Sequence, residues 1–147
     1  MVGDLKNGRT VHSLAKILTL YEGIKFRFVS PPTLGMPQEI KDLIADRGFT
    51  SRDFDSIESA MPETDVLYVT RIQKERFENE EDYEKACQNY VINVKTLFGA
   101  KDTMRILHPL PRNQEIDPEV DIDPRAAYFR QAENGKYVRM ALLAGVV

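Results

Sequence analysis

The sequence predicts an α/β fold in which a mainly parallel sheet is flanked by helices. Short runs rich in β-branched and aromatic residues, at 24–29, 65–69 and 104–108, alternate with segments such as 10–21 whose apolar residues recur at helical spacing. Strands that alternate with helices in this way indicate βαβ units, whose connections make neighbouring strands parallel. The 147 residues are enough for one domain with its own core.

Each predicted element begins or ends at a recognisable capping or turn residue. In the first half these elements are a helix from Thr10 to about Tyr21, a strand over 24–29, a helix with Pro37 in its first turn and Gly48 at its end, and a helical turn over 56–60. In the second half they are a strand from Asp65, a helical segment over 78–89, a short strand over 90–93 with a helical turn to 100, a strand over 104–108, and one or two helices over 124–147 with a break at Asn134-Gly135. Together they predict a Rossmann-like, three-layer domain.

The start of the chain predicts an origin in a longer protein. Met1-Val2 resembles the end of a strand, and it runs straight into the turn signal Gly3-Asp4. We therefore expect the beginning of this strand to lie outside the chain.

Composition argues against several classes of function. A net charge of −3 disfavours broad nucleic-acid binding, and no apolar run reaches the roughly 18 residues that span a membrane. One cysteine, Cys87, excludes an internal disulfide and fits a reducing compartment, so we expect a cytoplasmic protein. With His12 and His108 as its only histidines and no clustered ligands, the chain predicts neither a metal site nor a cofactor.

The run from Asp65 to Phe77 carries the strongest prediction of a ligand site. It starts as a buried strand and ends in hydrogen-bond donors, and ligands of α/β sheets bind beyond the carboxyl ends of strands. Arg71 and Gln73 emerge at this point, and a guanidinium with an amide suits a carboxylate. For residues 74–76 a solvated loop with internal salt bridges, such as Glu75 to Arg76 or to Lys74, is the better interpretation.

Residues 3–10 nearly spell the phosphate-binding loop, with Arg9 where that loop needs a lysine. Nucleotide binding, a tight turn into a capped helix, and anion binding by Arg9 at the helix N-terminus remain open.

A third segment, 108–112, places two prolines directly after a strand. Either X-Pro bond could be cis, and the prolines leave a nearby carbonyl free to accept from a ligand N–H. The alternative is a rigid exit from the strand.

Four motifs resemble those of aspartate carbamoyltransferase. They are Val2-Gly-Asp-Leu-Lys-x-Gly-Arg-Thr-Val-His-Ser-Leu14, Tyr68-x-Thr-Arg-Ile-Gln-Lys-Glu-Arg76, His108-Pro-Leu-Pro-Arg112 and Asp123-Pro-Arg-Ala-Ala-Tyr-Phe-Arg-Gln-Ala-Glu-Asn-Gly135. They occur in the family's order over nearly the whole chain, and the last is most similar to the eukaryotic form within a multifunctional pyrimidine-synthesis protein. The resemblance covers the aspartate-binding C-terminal half, residues 1–147, and the family's Ser-Thr-Arg-Thr loop for carbamoyl phosphate is absent.

This resemblance implies carbamoyl transfer from carbamoyl phosphate to L-aspartate, without a metal or cofactor. It implies that Arg9, Arg71 and Gln73 bind aspartate and that the backbone of Leu110 and Pro111, through a cis peptide, contacts carbamoyl phosphate and the attacking amine. Arg76 and Arg112 are implied to order the loops, and residues 78–84 to form a mobile loop over aspartate. No catalytic residue is assigned with certainty to this half.

It further implies a partner domain for carbamoyl phosphate and a homotrimer for the complete enzyme, so we expect the chain alone to be inactive. Asn7 and Asn113-Gln114 depart from the family pattern, which usually has Tyr at the first position and Val-Asn or Val-Asp at the other two. The alternatives are an ornithine carbamoyltransferase-type domain and a non-catalytic module of the same fold.

The C-terminus carries a separate expectation. Its apolar positions include Tyr137, Met140, Ala141, Leu143, Ala144 and Val147. If uncovered, this patch favours self-association, and we expect it to belong against the missing half.

Overall fold

The computed structural model of the protein describes residues 1–146. Within this range the regular elements are helices and short strands joined by tight connections. In chain order they are α1 (Arg9–Leu18), β1 (Lys25–Val29), α2 (Gln38–Asp46), β2 (Thr50–Phe54), α3 (Ile57–Ala60), β3 (Val66–Tyr68), α4 (Glu80–Asn89), β4 (Arg105–Leu107) and α5 (Tyr128–Ala144). Single 3₁₀ turns span Pro32–Leu34, Lys74–Arg76 and Pro118–Ile122.

The strands form parallel pairs that Val2 connects into one arrangement. β1 pairs with β2, and β3 pairs with β4, both in parallel. Val2 makes parallel bridges to Val29 on one side and to Val69 on the other, and Ala126 bridges to Ile106 beyond β4. The resulting order is β2, β1, Val2, β3, β4 and Ala126, so the predicted parallel α/β fold is confirmed.

This order contains a change of direction next to Val2. The chain leaves Val2 towards β1 and β2, and then returns to β3 on the opposite side. Ligands of open α/β sheets bind outside the carboxyl ends of the strands at such a point. The loops that begin at Gly3 and Thr70 therefore lie where a ligand is expected.

Buried side chains pack on both faces of the sheet. Phe26 and Phe28 of β1 point to α1 and α2, whereas Val29 packs on the face with α3. Alternation of this kind follows from the two-residue period of a strand. The two main clusters comprise Leu5, Val11, Ala15, Phe26, Phe28, Met36, Ile40 and Ile44 on the first face, and Val2, Val29, Ile57, Leu67, Val69, Ile106, Ile116 and Tyr128 among others on the second.

The structure corrects the predicted elements at several places. β2 was not predicted, because its sequence Thr-Ser-Arg-Asp-Phe is polar and its first four residues are exposed at the sheet edge. The predicted break at Asn134-Gly135 is wrong, since α5 continues through it; one interior glycine costs only about 1 kcal/mol. The predicted cap at Thr10 is also wrong, because α1 already begins at Arg9 after Gly8.

The predicted strand over 90–93 is reduced to a bridge between Ile92 and Ile116, and the residues up to 100 form turns. The predicted helix over 78–89 is present as α4, with the Asn79 side chain capping its N-terminus.

Large apolar side chains remain exposed along α5. They are Phe129, Tyr137, Val138, Met140, Leu142 and Leu143, followed by Val146 beyond the helix. Val147, which also belongs to the predicted patch, lies outside the described residues. Among residues 1–146, none of the helices has the length and apolarity to cross a membrane.

Candidate functional site

Three loops leave adjacent strands at the same edge of the sheet. The backbone N–H of Thr70 donates to the Val2 carbonyl at 2.9 Å, and that of Val69 donates to the Leu107 carbonyl at 2.9 Å. The strands at Val2, β3 and β4 are therefore neighbours, and the segments 3–9, 70–77 and 108–115 continue from their carboxyl ends. The three segments singled out in the sequence thus come together at one edge of the sheet. Arg9, Arg71 and Gln73 line neither of the two cavities described below.

The first loop is closed by a buried carboxylate. Asp4 accepts from the Asn7 backbone N–H at 2.9 Å, and the Asn7 side-chain amide donates to both Asp4 oxygens at 3.1 Å. Gly8 packs closely on this turn, because a Cβ at Gly8 would lie 2.6 Å from the Asp4 carbonyl oxygen. Asn7, one of the departures from the family pattern, thus has a defined role in shaping the loop.

This loop delivers Arg9 to the start of α1. Arg9 is exposed, and no side chain caps the N-terminus of this ten-residue helix. The free N–H groups of the first turn and the helix dipole both favour an anion at this end. Because the helix dipole disfavours a cation at this end, Arg9 does not stabilise the helix.

The second loop presents Arg71 and Gln73 beside a buried anchor. Both side chains are half-buried, whereas Ile72 between them is buried in a small cluster with Leu34 and Ala86. The alternation directs Arg71 and Gln73 away from this cluster. The Arg76 Nη2 atom lies 3.5 Å from Gln73 Oε1, which is a weak contact.

The ion pair in this region differs from the predicted pairs. Lys74 contacts Glu80 at the start of α4, rather than Glu75. The pair joins the second loop to α4, and both side chains are largely exposed. Surface pairs of this type contribute between about 0 and 1 kcal/mol, so the attachment is weak.

The third loop contains a cis peptide bond between Leu110 and Pro111, and Leu110 has φ +56°. The His108 ring lies inside the turn: its Nδ1 atom accepts from the Leu110 backbone N–H at 2.8 Å, and Nε2 lies 2.9 Å from Glu115 Oε1. Burial alone would raise the pKa of Glu115, but the adjacent His108 ring and the hydrogen bond from the Asn113 backbone lower it below its usual range. Glu115 is therefore an anion at neutral pH.

Arg112 ties the same loop to the 3₁₀ turn Pro118–Ile122, which precedes α5. Its guanidinium contacts the Asp121 carboxylate, and its Nη1 atom lies 3.4 Å from the Ile116 carbonyl oxygen. Asp121 also accepts from the Tyr128 hydroxyl. Burial alone would raise the pKa of Asp121, but the hydrogen bonds from Tyr128 and Arg112 lower it, and burial raises the pKa of Tyr128.

Sequence reasoning missed the groups that fix the third loop. Glu115 and Asp121 were not singled out, and Tyr128 and Gln131 were noted only as part of a motif. Each lies several residues along the chain from its partner, His108, Arg112 or Asp121, and nothing in local periodicity indicates such pairs.

One cavity is lined by residues of these loops, and another lies apart from them. One of about 420 Å³ is bounded by α4 and the second and third loops, and its lining is Ile72, Tyr83, Cys87, Tyr90, Asn113, Gln114 and Glu115. The other, about 710 Å³, is a groove between β4 and α5. Residues 1–146 contain no group of three or more histidine, cysteine or acidic side chains placed to bind a metal.

Cationic loops at the carboxyl edge of a parallel sheet define a class of α/β domains that bind small anions. The family model described as "Aspartate/ornithine carbamoyltransferase, Asp/Orn binding domain" matches residues 1–146. The chain therefore belongs to the aspartate/ornithine carbamoyltransferase family, in its Asp/Orn-binding domain.

Known relatives agree with this assignment. The chain is 57% identical over 147 residues to the multifunctional protein CAD of Squalus acanthias, covering all of this chain and 6% of that protein. It is 51% identical over 142 residues to the aspartate carbamoyltransferase catalytic subunit of Lachnoclostridium phytofermentans, covering 96% of this chain and 46% of the subunit. The solved catalytic subunit of M. jannaschii aspartate transcarbamoylase superposes with a TM-score of 0.91 at 45% identity, over 97% of this chain and 46% of that one. The chain thus spans about half the length of the catalytic subunits it matches.

Proposed function

We propose that this chain is the aspartate-binding domain of an aspartate carbamoyltransferase. The observation that carries the proposal is the placement of Arg9 and Arg71 on loops from adjacent strands, at the point where the strand order changes direction. Aspartate carries two carboxylates, and two guanidinium groups are a natural match for them. The relatives named as aspartate carbamoyltransferases support aspartate over ornithine.

The reaction transfers a carbamoyl group from carbamoyl phosphate to L-aspartate, the step that yields N-carbamoyl-L-aspartate in de novo pyrimidine synthesis. The aspartate amine attacks the carbamoyl carbon, a C–N bond forms, the C–O bond to phosphate breaks, and the nitrogen loses a proton. Arg9 and Arg71 bind the two carboxylates, and Gln73 adds a directional donor. The carbonyls of Leu110 and Pro111 accept from N–H groups of carbamoyl phosphate and of the attacking amine.

These residues act by positioning and charge complementarity, without a covalent intermediate. Each charge-assisted hydrogen bond contributes roughly 1.5–3 kcal/mol. Arg76 and Arg112 order the loops; for Arg112, the contacts with Asp121 and Ile116 support this role.

The remaining parts of the site belong to partners of this domain. A carbamoyl-phosphate domain of the same enzyme faces the three loops, and the complete enzyme is a cytoplasmic homotrimer. The chain alone binds aspartate weakly and does not catalyse the reaction.

A chimera tests the proposal directly. Residues 1–147 replace the aligned segment of the L. phytofermentans catalytic subunit, and formation of carbamoyl aspartate is measured with aspartate and, separately, with ornithine. We expect turnover with aspartate and none with ornithine. A chimera that folds and assembles like its parent but has no activity contradicts the proposal, and turnover with ornithine assigns the other substrate.

The roles of the arginines are tested in the same chimera. Arg71→Gln and Arg9→Gln are each expected to raise KM for aspartate roughly tenfold to a hundredfold, because each removes a charge-assisted contact. Arg47→Gln is the matched control: Arg47 is exposed just beyond α2, away from the three loops. An equal KM in Arg71→Gln and Arg47→Gln excludes Arg71 from the aspartate site.

A further inference from the structure

We propose that His108 is a positioning residue of this reaction, which acts by fixing the backbone of Leu110. The inference rests on the proposed function, because it assumes that the Leu110 and Pro111 carbonyls face the substrates. The structural observation behind it is a side chain with no access to solvent that contacts the loop on both sides of its ring.

The first contact fixes the backbone at a position with a left-handed conformation. Leu110 has φ +56°, a left-handed conformation that a leucine rarely adopts. Its N–H donates to His108 Nδ1 at 2.8 Å, only two residues earlier in the chain. This bond stabilises the turn in its observed form, and thereby sets the direction of the Leu110 carbonyl.

The contact with Leu110 also determines which ring nitrogen carries the proton, and thereby which atom faces Glu115. Because Nδ1 accepts a hydrogen bond, the neutral ring carries its proton on Nε2. That atom lies 2.9 Å from Glu115 Oε1, off the line of an ideal hydrogen bond. Glu115 is nearly buried and also accepts from the Asn113 backbone N–H at 3.0 Å, so its carboxylate is held in place.

A third contact fixes the backbone of His108 itself. The Gln131 side chain accepts from the His108 N–H at 3.1 Å and donates to the His108 carbonyl at 2.9 Å. Gln131 lies on α5, so both backbone polar groups of His108, the residue that follows β4, are attached to that helix. A series of direct hydrogen bonds, from Gln131 to His108 and from His108 to Leu110, therefore connects α5 to the proposed site.

Two matched variants separate the role of Nδ1 from that of Nε2. In asparagine, Oδ1 is about as far along the side chain as Nδ1 is in histidine. In glutamine, the amide nitrogen is about as far along the side chain as Nε2 is in histidine. His108→Asn therefore retains an acceptor for Leu110, and His108→Gln retains a donor for residue 115. Both are made with Glu115→Gln, so that neither leaves a buried carboxylate without a partner.

The variants are compared in the chimera described above. We expect kcat of the His108→Gln form to fall roughly tenfold to a hundredfold below that of the His108→Asn form, with KM for aspartate within about threefold between them. A merely structural role predicts equal kcat values, or a loss that follows the folded fraction measured by circular dichroism. Equal kcat values in an active parent chimera overturn the role of His108 alone, whereas an inactive parent overturns the proposed function and this role together.

A spectroscopic measurement on the unmodified chain covers the case in which the variants fail to fold. With ¹⁵N-labelled histidine, long-range NMR spectra report the protonation of each ring nitrogen, and His12→Gln assigns the signals because the chain has two histidines. We expect an unprotonated Nδ1 and a protonated Nε2 for His108. A proton on Nδ1 overturns the proposal whatever the kinetics show.

Discussion

Gly3 lies against Thr70 so closely that a Cβ at Gly3 would be 2.2 Å from the Thr70 carbonyl oxygen. Gly3 also has φ +115°, a conformation that residues with side chains rarely adopt. Both features occur at the first residue after Val2, where the first loop of the site begins. The approach of these two backbones sets the spacing between the loops that carry Arg9 and Arg71.

Gly3→Ala is therefore expected to destabilise the fold for two reasons, the positive φ and the clash of the added Cβ with Thr70. Gly48→Ala is the matched control, because Gly48 has φ +80° but no atom within 4 Å of an added Cβ. We expect a loss of roughly 1–2 kcal/mol for Gly48→Ala and roughly 2–4 kcal/mol for Gly3→Ala, measured by urea unfolding. Equal losses contradict a close packing of Gly3 on Thr70.

Asn7→Ala tests whether the Asp4–Asn7 turn positions Arg9. The substitution removes both side-chain bonds to Asp4 and leaves this buried carboxylate with the Asn7 backbone N–H. We expect KM for aspartate in the chimera to rise several-fold or more, since a hydrogen bond to a carboxylate contributes roughly 1.5–3 kcal/mol to the turn that precedes Arg9. Lys6→Ala, at an exposed position of the same loop, is the control. A larger effect from Lys6→Ala argues against the turn as the relevant feature.

The parts of the site that the sequence predicts are those encoded by neighbouring residues. Arg71 and Gln73 follow a short apolar run, so their position beyond β3 follows from local pattern alone. The alternating pattern of strands and helices likewise predicts the parallel sheet. β2 was missed because an exposed edge strand has no apolar period to detect.

The remaining parts depend on contacts between residues that are distant in sequence. Gln131 contacts His108 across 23 positions, and Tyr90 donates to the Ser30 carbonyl across 60. Neither contact leaves a periodic signal in a single sequence. The continuity of α5 through Asn134-Gly135 shows the converse, because the surrounding helix outweighs a local turn signal.

The Arg112–Asp121–Tyr128 cluster predicts a defined response to acid. The pKa of Asp121 is lowered in the folded state, so its ionised form stabilises the fold above the unfolded value of about 3.9. This stabilisation is lost as the pH falls below that value and through the folded pKa. Asp121→Asn is thus expected to lower the free energy of unfolding most at pH 7, with the difference from the parent shrinking below about pH 4. Urea unfolding from pH 7 to pH 2.5 measures it, and a difference that is independent of pH contradicts the prediction.

The exposed apolar residues of α5 predict self-association of the isolated chain. Met140 and Leu143 are 55% and 68% exposed and lie three positions apart on one helix, next to further exposed apolar residues. Met140→Glu/Leu143→Glu is expected to reduce the average mass measured by sedimentation velocity at high protein concentration, because charged side chains oppose burial of this surface. Phe98→Glu/Ile122→Glu is the matched control, since these two residues are 88% and 91% exposed but lie outside α5. A monomer at every concentration, or an equal response in the control, rejects α5 as the contact surface.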